Sequence, residues 1–142
     1  MSDIYDLQRF IEAQDRVYAS VLDELRAGRK RGHWMWYVFP QIEGLGGSAM
    51  AQKYAISSQA EAEVYLEHPI LGSRLRECTQ LILAVEGRSA EDIFYYPDNL
   101  KFRSCMTLFE QAAADNSLFR DALLKYFNGE PDQLTLDFLK QE

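Results

Sequence analysis

The amino-acid sequence predicts an all-α fold of six to eight helices, a single domain over residues 1–142, with one irregular aromatic, proline-containing segment around residues 33–41. Three observations carry this prediction. Apolar residues recur at helical spacing along most of the chain. Serine, aspartate, proline and glycine fall between the periodic stretches, where helices must start and stop. The only strand candidate, Trp36-Tyr37-Val38-Phe39, has no second strand to pair with.

The first helix runs from Leu7 through Phe10, Ile11, Val17, Tyr18, Val21, Leu22 and Leu25, a period held over five turns. Arg9, Glu12, Asp15, Arg16, Asp23 and Glu24 occupy its other side. Asp3 or Asp6 caps its start, and Gly28 ends it in a left-handed conformation. Beyond the aromatic segment, Ser48 caps a helix through Ala49, Ala51, Tyr54 and Ala55, and Ser57 or Ser58 opens another through Ala60, Ala62, Val64, Tyr65 and Leu66. Pro69, at a first-turn position, begins a longer helix whose stripe is Leu71, Leu75, Cys78, Ile82 and Val85, stopped by Gly87. Ser89 with Asp92 three residues on has the pattern of a capping box for a short turn into Ile93-Phe94-Tyr95-Tyr96. A helix restarts at Pro97-Asp98 and buries Leu100, Cys105, Leu108, Phe109, Ala112 and Ala113. Asn116 or Ser117 caps the next, with Leu118, Phe119, Ala122, Leu123, Tyr126 and Phe127 inward and Asn128-Gly129 at its end. The last runs from about Pro131, burying Leu134, Leu136 or Phe138, and Leu139.

The composition, 47% hydrophobic and 26% charged, is that of a packed globular chain rather than a disordered one. A net charge of −7 argues against broad binding to DNA or membranes. No apolar run spans a bilayer and the N-terminus lacks a signal-peptide core, so a cytoplasmic protein is the expectation. Cys78 and Cys105 sit on apolar stripes and read as buried thiols rather than a disulfide. Two distant histidines without cysteine partners argue against a zinc site, and no motif implies a cofactor.

Candidate chemistry gathers around the aromatic run His33-Trp34-Met35-Trp36-Tyr37-Val38-Phe39-Pro40-Gln41, which holds both tryptophans. Arg29, Lys30 and Arg31 precede it. They supply charge for an anion, or simply favour the C-terminus of the first helix. Gly44, Gly46 and Gly47 follow, ahead of Ser48. Such a turn lets backbone N–H groups converge on a phosphate, although a loop needing glycine only for its turn is the competing account. No Walker or dinucleotide fingerprint is present. Trp34 and Trp36 either plug the core or stack on a planar ring. His33 has the pKa for acid–base work, while His68, before Pro69, reads as structural. Asp98, Lys101, Ser104 and Thr107 fall at successive three-residue steps on one helix. This polar line either faces solvent or lines a cleft, with Lys101 as anion ligand and Ser104 and Thr107 as hydrogen-bond partners.

These stretches together resemble the DUF1810 family. Asp6-Leu7-Gln8-Arg9-Phe10 with Glu12-Ala13-Gln14-Asp15, the run from His33 to Gln41, Gly44-Leu45-Gly46 with Ser48, and Tyr54-Ala55-Ile56 carry the resemblance in the N-terminal half. His68-Pro69, Leu71-Gly72, Arg74-Leu75, Asp98, Lys101, Ser104, Met106-Thr107-Leu108-Phe109 and Thr135-Leu136 extend it over nearly the whole chain. Gly32 departs from it, standing where the family pattern has serine and removing a hydroxyl there. The resemblance implies a small, mainly helical fold and no established activity. Some relatives carry a calpastatin-like label, but calpastatin inhibits as a disordered chain and this sequence must pack a core.

The functional expectation is a cleft for a small anionic, ring-bearing ligand, such as a nucleotide or a nucleotide-derived metabolite. In it Arg29, Lys30, Arg31 and Lys101 give charge, the turn from Gly44 to Ser48 gives amides, and Trp34 and Trp36 give a stacking face. Were it an enzyme, His33 and Asp98 are its titratable candidates. The alternative is a non-catalytic module that docks a protein partner through the Trp-rich segment.

Overall fold

The computed structural model describes residues 3–142. Its ten helices are α1 (Gln8–Asp15), α2 (Tyr18–Ala27), α3 (Met35–Val38), α4 (Ala49–Lys53), α5 (Gln59–Glu67), α6 (Leu71–Ala84), α7 (Ala90–Phe94), α8 (Asp98–Ala112), α9 (Ser117–Phe127) and α10 (Gln133–Lys140), counted among the described residues. The class is all-α as the periodicity predicts, but the count is higher for two physical reasons. The long first helix is broken where Val17 leaves helical geometry at φ −131°, giving α1 and α2. The aromatic segment is not wholly irregular, because Met35–Val38 closes one helical turn, α3, before Pro40. Among the described residues β-pairing is limited to an isolated parallel bridge between Ile42 and Ile56.

Most predicted caps form. Asp3 accepts the N–H groups of Leu7 and Gln8 at 2.8 and 2.9 Å, and Gly28 closes α2 at φ 71°. Ser48 and Ser58 cap α4 and α5, and Ser89 with Asp92 completes a capping box on α7. The α6 start is held instead by the His68 ring, whose Nδ1 accepts from Ile70 and Leu71. At α9 neither Asn116 nor Ser117 supplies the cap; the Asp115 carboxylate accepts the Ser117 N–H. Asp132, rather than Pro131, sets the start of α10.

Helix α8 is the centre, with α5, α7, α9 and α10 packed around it, while α6 bridges α2, α5 and α9. Phe102 on α8 meets Phe39, Phe94, Tyr126 and Phe127, with ring centroids 4.7 to 6.4 Å apart. Such aromatic pairs add to stability beyond their area. The predicted inward residues are mostly buried, with two exceptions. Leu100 and Leu134, expected in the core, are exposed, because α8 begins at the molecular surface and α10 buries only Thr135 fully.

Both cysteines are free and buried. Burial pushes the Cys78 thiol up to about 12 and the Cys105 thiol well above its ordinary value. Because the thiolate is the reactive species, both should react with a disulfide reagent only as fast as the native state opens. A stopped-flow trace with a fast stoichiometric phase would contradict this.

No helix among the described residues is long and apolar enough to cross a membrane. Nor does any group of three or more His, Cys, Asp or Glu side chains there converge as metal ligands.

Candidate functional site

The site forms where the segment after α2 meets the junction between α7 and α8. Gly28 turns the chain out of α2, and Arg88 clamps the turn by donating from Nε to the Gly28 carbonyl at 2.9 Å. The Lys30 N–H then donates to the Ile93 carbonyl at 2.8 Å, fastening residues 29–31 beside the end of α7. Glu24 organises the next turn. Its Oε1 accepts from the N–H groups of Arg31 and Gly32 and from the Trp34 indole, at 2.6, 2.9 and 3.0 Å. Burial works to raise this carboxyl, but those donors hold it below the usual carboxylate range.

Lys30 points inward. Its ammonium pairs with Asp98 Oδ2 at 3.0 Å, donates to the Gly32 carbonyl and lies 5.0 Å from the Trp34 ring centroid. Lys101 reaches the other oxygen of Asp98 at 3.4 Å and sits 5.3 Å from the Trp36 ring. One carboxylate thus lies between two ammonium groups, each backed by a tryptophan, and the trio carries one net positive charge. Cation–π contacts add roughly 0.5–2 kcal/mol each, depending on desolvation.

Beside this trio opens a cleft of about 560 Å³ lined by Arg29, Lys30, Arg31 and His33 on one side and by Phe94, Tyr95, Tyr96, Pro97 and Asp98 on the other. Its volume lies in the range of small-molecule sites. Tyr95 and Tyr96 are 50% and 72% exposed. Tyr95 has φ 65° and ψ 152°, a combination strongly disfavoured for any residue with a Cβ, and the Tyr96–Pro97 bond is cis. Strain of roughly 1–3 kcal/mol at Tyr95 is held beside the cleft.

The cleft therefore gathers five of the predicted residues, Arg29, Lys30, Arg31, His33 and Asp98, and Lys101 joins through Asp98. The others lie elsewhere. Trp34, 2% exposed, is core and offers no stacking face. Trp36 is half-buried and lines, with Gly44 and Gly46, a separate cavity of about 30 Å³ that admits no more than water. The glycine turn does not line the cleft that Arg29, Lys30 and Arg31 line. Ser48 Oγ takes the Ala51 N–H, Gly44 adopts φ 104° against the Phe138 ring, and Gly46 touches Ala51, while Gly47 lies in the open. Ser104 and Thr107 are buried, and their hydroxyls donate to the Leu100 and Arg103 carbonyls one turn back. The polar line on α8 thus turns inward after Lys101, and Thr107 serves the fold by accepting the Asp132 N–H at 2.9 Å.

Tyr95 and Tyr96 are site residues that the sequence does not single out, since they read there only as the end of the short turn Ile93-Phe94-Tyr95-Tyr96. Their signal was the unusual pairing of two adjacent tyrosines with a following proline.

Over residues 4–139 the chain matches the family described as "Protein of unknown function (DUF1810)". Among solved structures it is similar to the conserved hypothetical protein Rv1873 from Mycobacterium tuberculosis. The two share 55% identity and a TM-score of 0.96 over 97% of this chain and 99% of that one. No curated protein matches.

Proposed function

The chain belongs to the DUF1810 family, and we propose that it binds a small anionic, ring-bearing ligand, a nucleotide or nucleotide-derived metabolite, in the cleft between Arg29–His33 and Tyr95–Asp98. The observation that carries this reading is the cleft itself, with cations on one wall and exposed aromatic rings on the other. Guanidinium groups recognise phosphate oxygens in pairs, and tyrosine faces stack on planar bases. Asp98 presents no bare negative charge to such a ligand because Lys30 and Lys101 flank it. Of the two acid–base candidates, Asp98 is committed to these ammonium groups, whereas the His33 side chain makes no hydrogen bond among the described residues and borders the cleft. His33 is thus the candidate whose ring is left unpartnered at the cleft. A cytoplasmic setting suits the two unpaired buried thiols.

The competing reading, a protein-docking module built on the Trp-rich segment, has less support. Trp34, Met35, Tyr37, Val38 and Phe39 are all buried, leaving Trp36 as the one partly exposed aromatic side chain of the segment among the described residues.

Titration with ATP at low ionic strength tests the proposal. Both tryptophans sit behind the lysines of the site, so their emission should change saturably and the change should weaken with added salt. At a hundredfold excess over Kd, binding adds about 2.7 kcal/mol, raising Tm by about 5–10 °C in a chain of this size. Lys101→Ala leaves Asp98 less neutralised and should weaken the response without unfolding the protein. Unmoved emission and Tm across ATP and a panel of phosphorylated metabolites would overturn the reading and favour the docking module.

A further inference from the structure

We infer that the anionic part of the ligand is a diphosphate, gripped by Arg29 and Arg31 as a two-pronged clamp; this rests on the binding reading above and sharpens it. Across Arg29, Lys30 and Arg31 the side chains are exposed, buried and exposed in turn. That alternation is the signature of extended backbone, in which residues two apart share a side. Lys30 is spent on Asp98, the Gly32 carbonyl and Trp34. Arg29 and Arg31 differ. Neither guanidinium makes a hydrogen bond or ion pair among the described residues, and both line the cleft.

Two residues of extended backbone separate their Cα atoms by about 6.6 Å. Long guanidinium arms rooted that far apart can converge on one phosphate or spread over two linked ones. The charge decides between them. Two free guanidiniums and the singly positive Lys30–Asp98–Lys101 trio together match the charge of a diphosphate better than that of a monophosphate. The backbone beneath the clamp is fixed independently of any ligand, by the Glu24 bonds to the Arg31 and Gly32 N–H groups and by the Lys30 N–H on Ile93. Pre-fixing of this kind reduces the ordering lost on binding.

The same two arginines also border a second cleft of about 420 Å³ on their other side, but Asp23 and Glu24 line that one. Their carboxylates oppose an anion, whereas Asp98, the only acid lining the first cleft among the described residues, is doubly paired. The diphosphate therefore belongs on the tyrosine side, where an attached ring can reach Tyr95 or Tyr96.

Calorimetric titration of the whole chain with AMP and ADP, and with UMP and UDP so that base preference does not decide, tests the clamp. Each diphosphate should bind at least tenfold more tightly than its monophosphate. Arg29→Ala and Arg31→Ala should each remove that advantage, costing each diphosphate more than its monophosphate. Both side chains are exposed and unpaired, so both variants should melt with the parent. Equal affinity for mono- and diphosphate would overturn the clamp and leave the binding reading intact, as would an advantage that survives both substitutions. Absence of binding by all four nucleotides would overturn the clamp and the binding reading together.

Discussion

Gly72→Ala should destabilise the protein by about 4 kcal/mol or more, lowering Tm by roughly 8–16 °C in a domain of this length. Gly72 lies in the first turn of α6, where α5 ends and the chain doubles back. A Cβ there would stand 2.0 Å from the Leu66 carbonyl oxygen and 2.9 Å from its carbon. These are backbone atoms at the end of α5, so no rotamer change relieves the overlap. The crossing of α5 and α6 must open instead, and the Arg76 bond to that same carbonyl must break. The better helix propensity of alanine returns at most about 1 kcal/mol. Gly47→Ala is the control, because a Cβ there meets nothing within 4 Å, and it should fall within about 0.5 kcal/mol of the parent. Thermal melts of the two variants decide the matter, and a Gly72→Ala protein that melts with the parent would refute the steric account.

Arg9→Ala should cost about 3–5 kcal/mol, the range for breaking a buried ion pair from one side. The Arg9 guanidinium donates to the carbonyls of Lys53, Asp6 and Ala55 at 2.8, 2.8 and 2.9 Å and also to that of Tyr5. It pairs with Glu61 Oε2 at 3.2 Å, a carboxylate only 2% exposed. Ser57 satisfies the other oxygen through its N–H and hydroxyl. Removing Arg9 strands Glu61 and several carbonyls at once and unfastens α1 from α5 and the loop before it. Arg9→Lys should recover little, since a single ammonium cannot span the positions that the planar fork reaches. Urea denaturation would show a lower midpoint at unchanged m-value; a loss under about 1 kcal/mol for Arg9→Ala would refute the assignment.

Arg9 also marks where reading the sequence stops. Its helical spacing sets it on the polar side of α1, and that is true, but the partners that tie it to the rest of the fold, Lys53, Ala55 and Glu61, lie 44 to 52 residues away. Periodicity tells which residues share a face; it does not tell what that face meets. The stripe Leu71, Leu75, Cys78 and Ile82 could be read because an apolar face has only one favourable destination, and all four are buried. The polar line Asp98, Lys101, Ser104 and Thr107 had two. Its first half meets the site, whereas its second half turns into the core with each hydroxyl satisfied by the helix itself. The two tryptophans were ambiguous for a related reason: an indole suits a core or a binding face equally, and Glu24, ten residues earlier, decides for Trp34 by accepting its N–H. The convergence of Arg29, Lys30, Arg31 and His33 with Asp98 rests on adjacency for the first four and on tertiary packing for the last. The left-handed Tyr95 has no local signal, since glycine, the residue that favours such a conformation, is absent there.

The last helix attaches lightly, and this gives the molecule an order of opening. Helix α10 buries only Thr135 fully and is held by the Asp132 N–H on Thr107, by Phe138 against Gly44 and by Glu142 on the Gln59 N–H. Few buried contacts mean a low free energy of local opening, so its amides should exchange with solvent through a fluctuation that leaves α8 closed. When α10 lifts, the Phe138 ring leaves Gly44, and the glycine turn loses its cover in the same event. The loop at residues 44–48 and helix α10, distant in sequence, should therefore lose protection together, ahead of the Lys30–Asp98–Lys101 trio at α8.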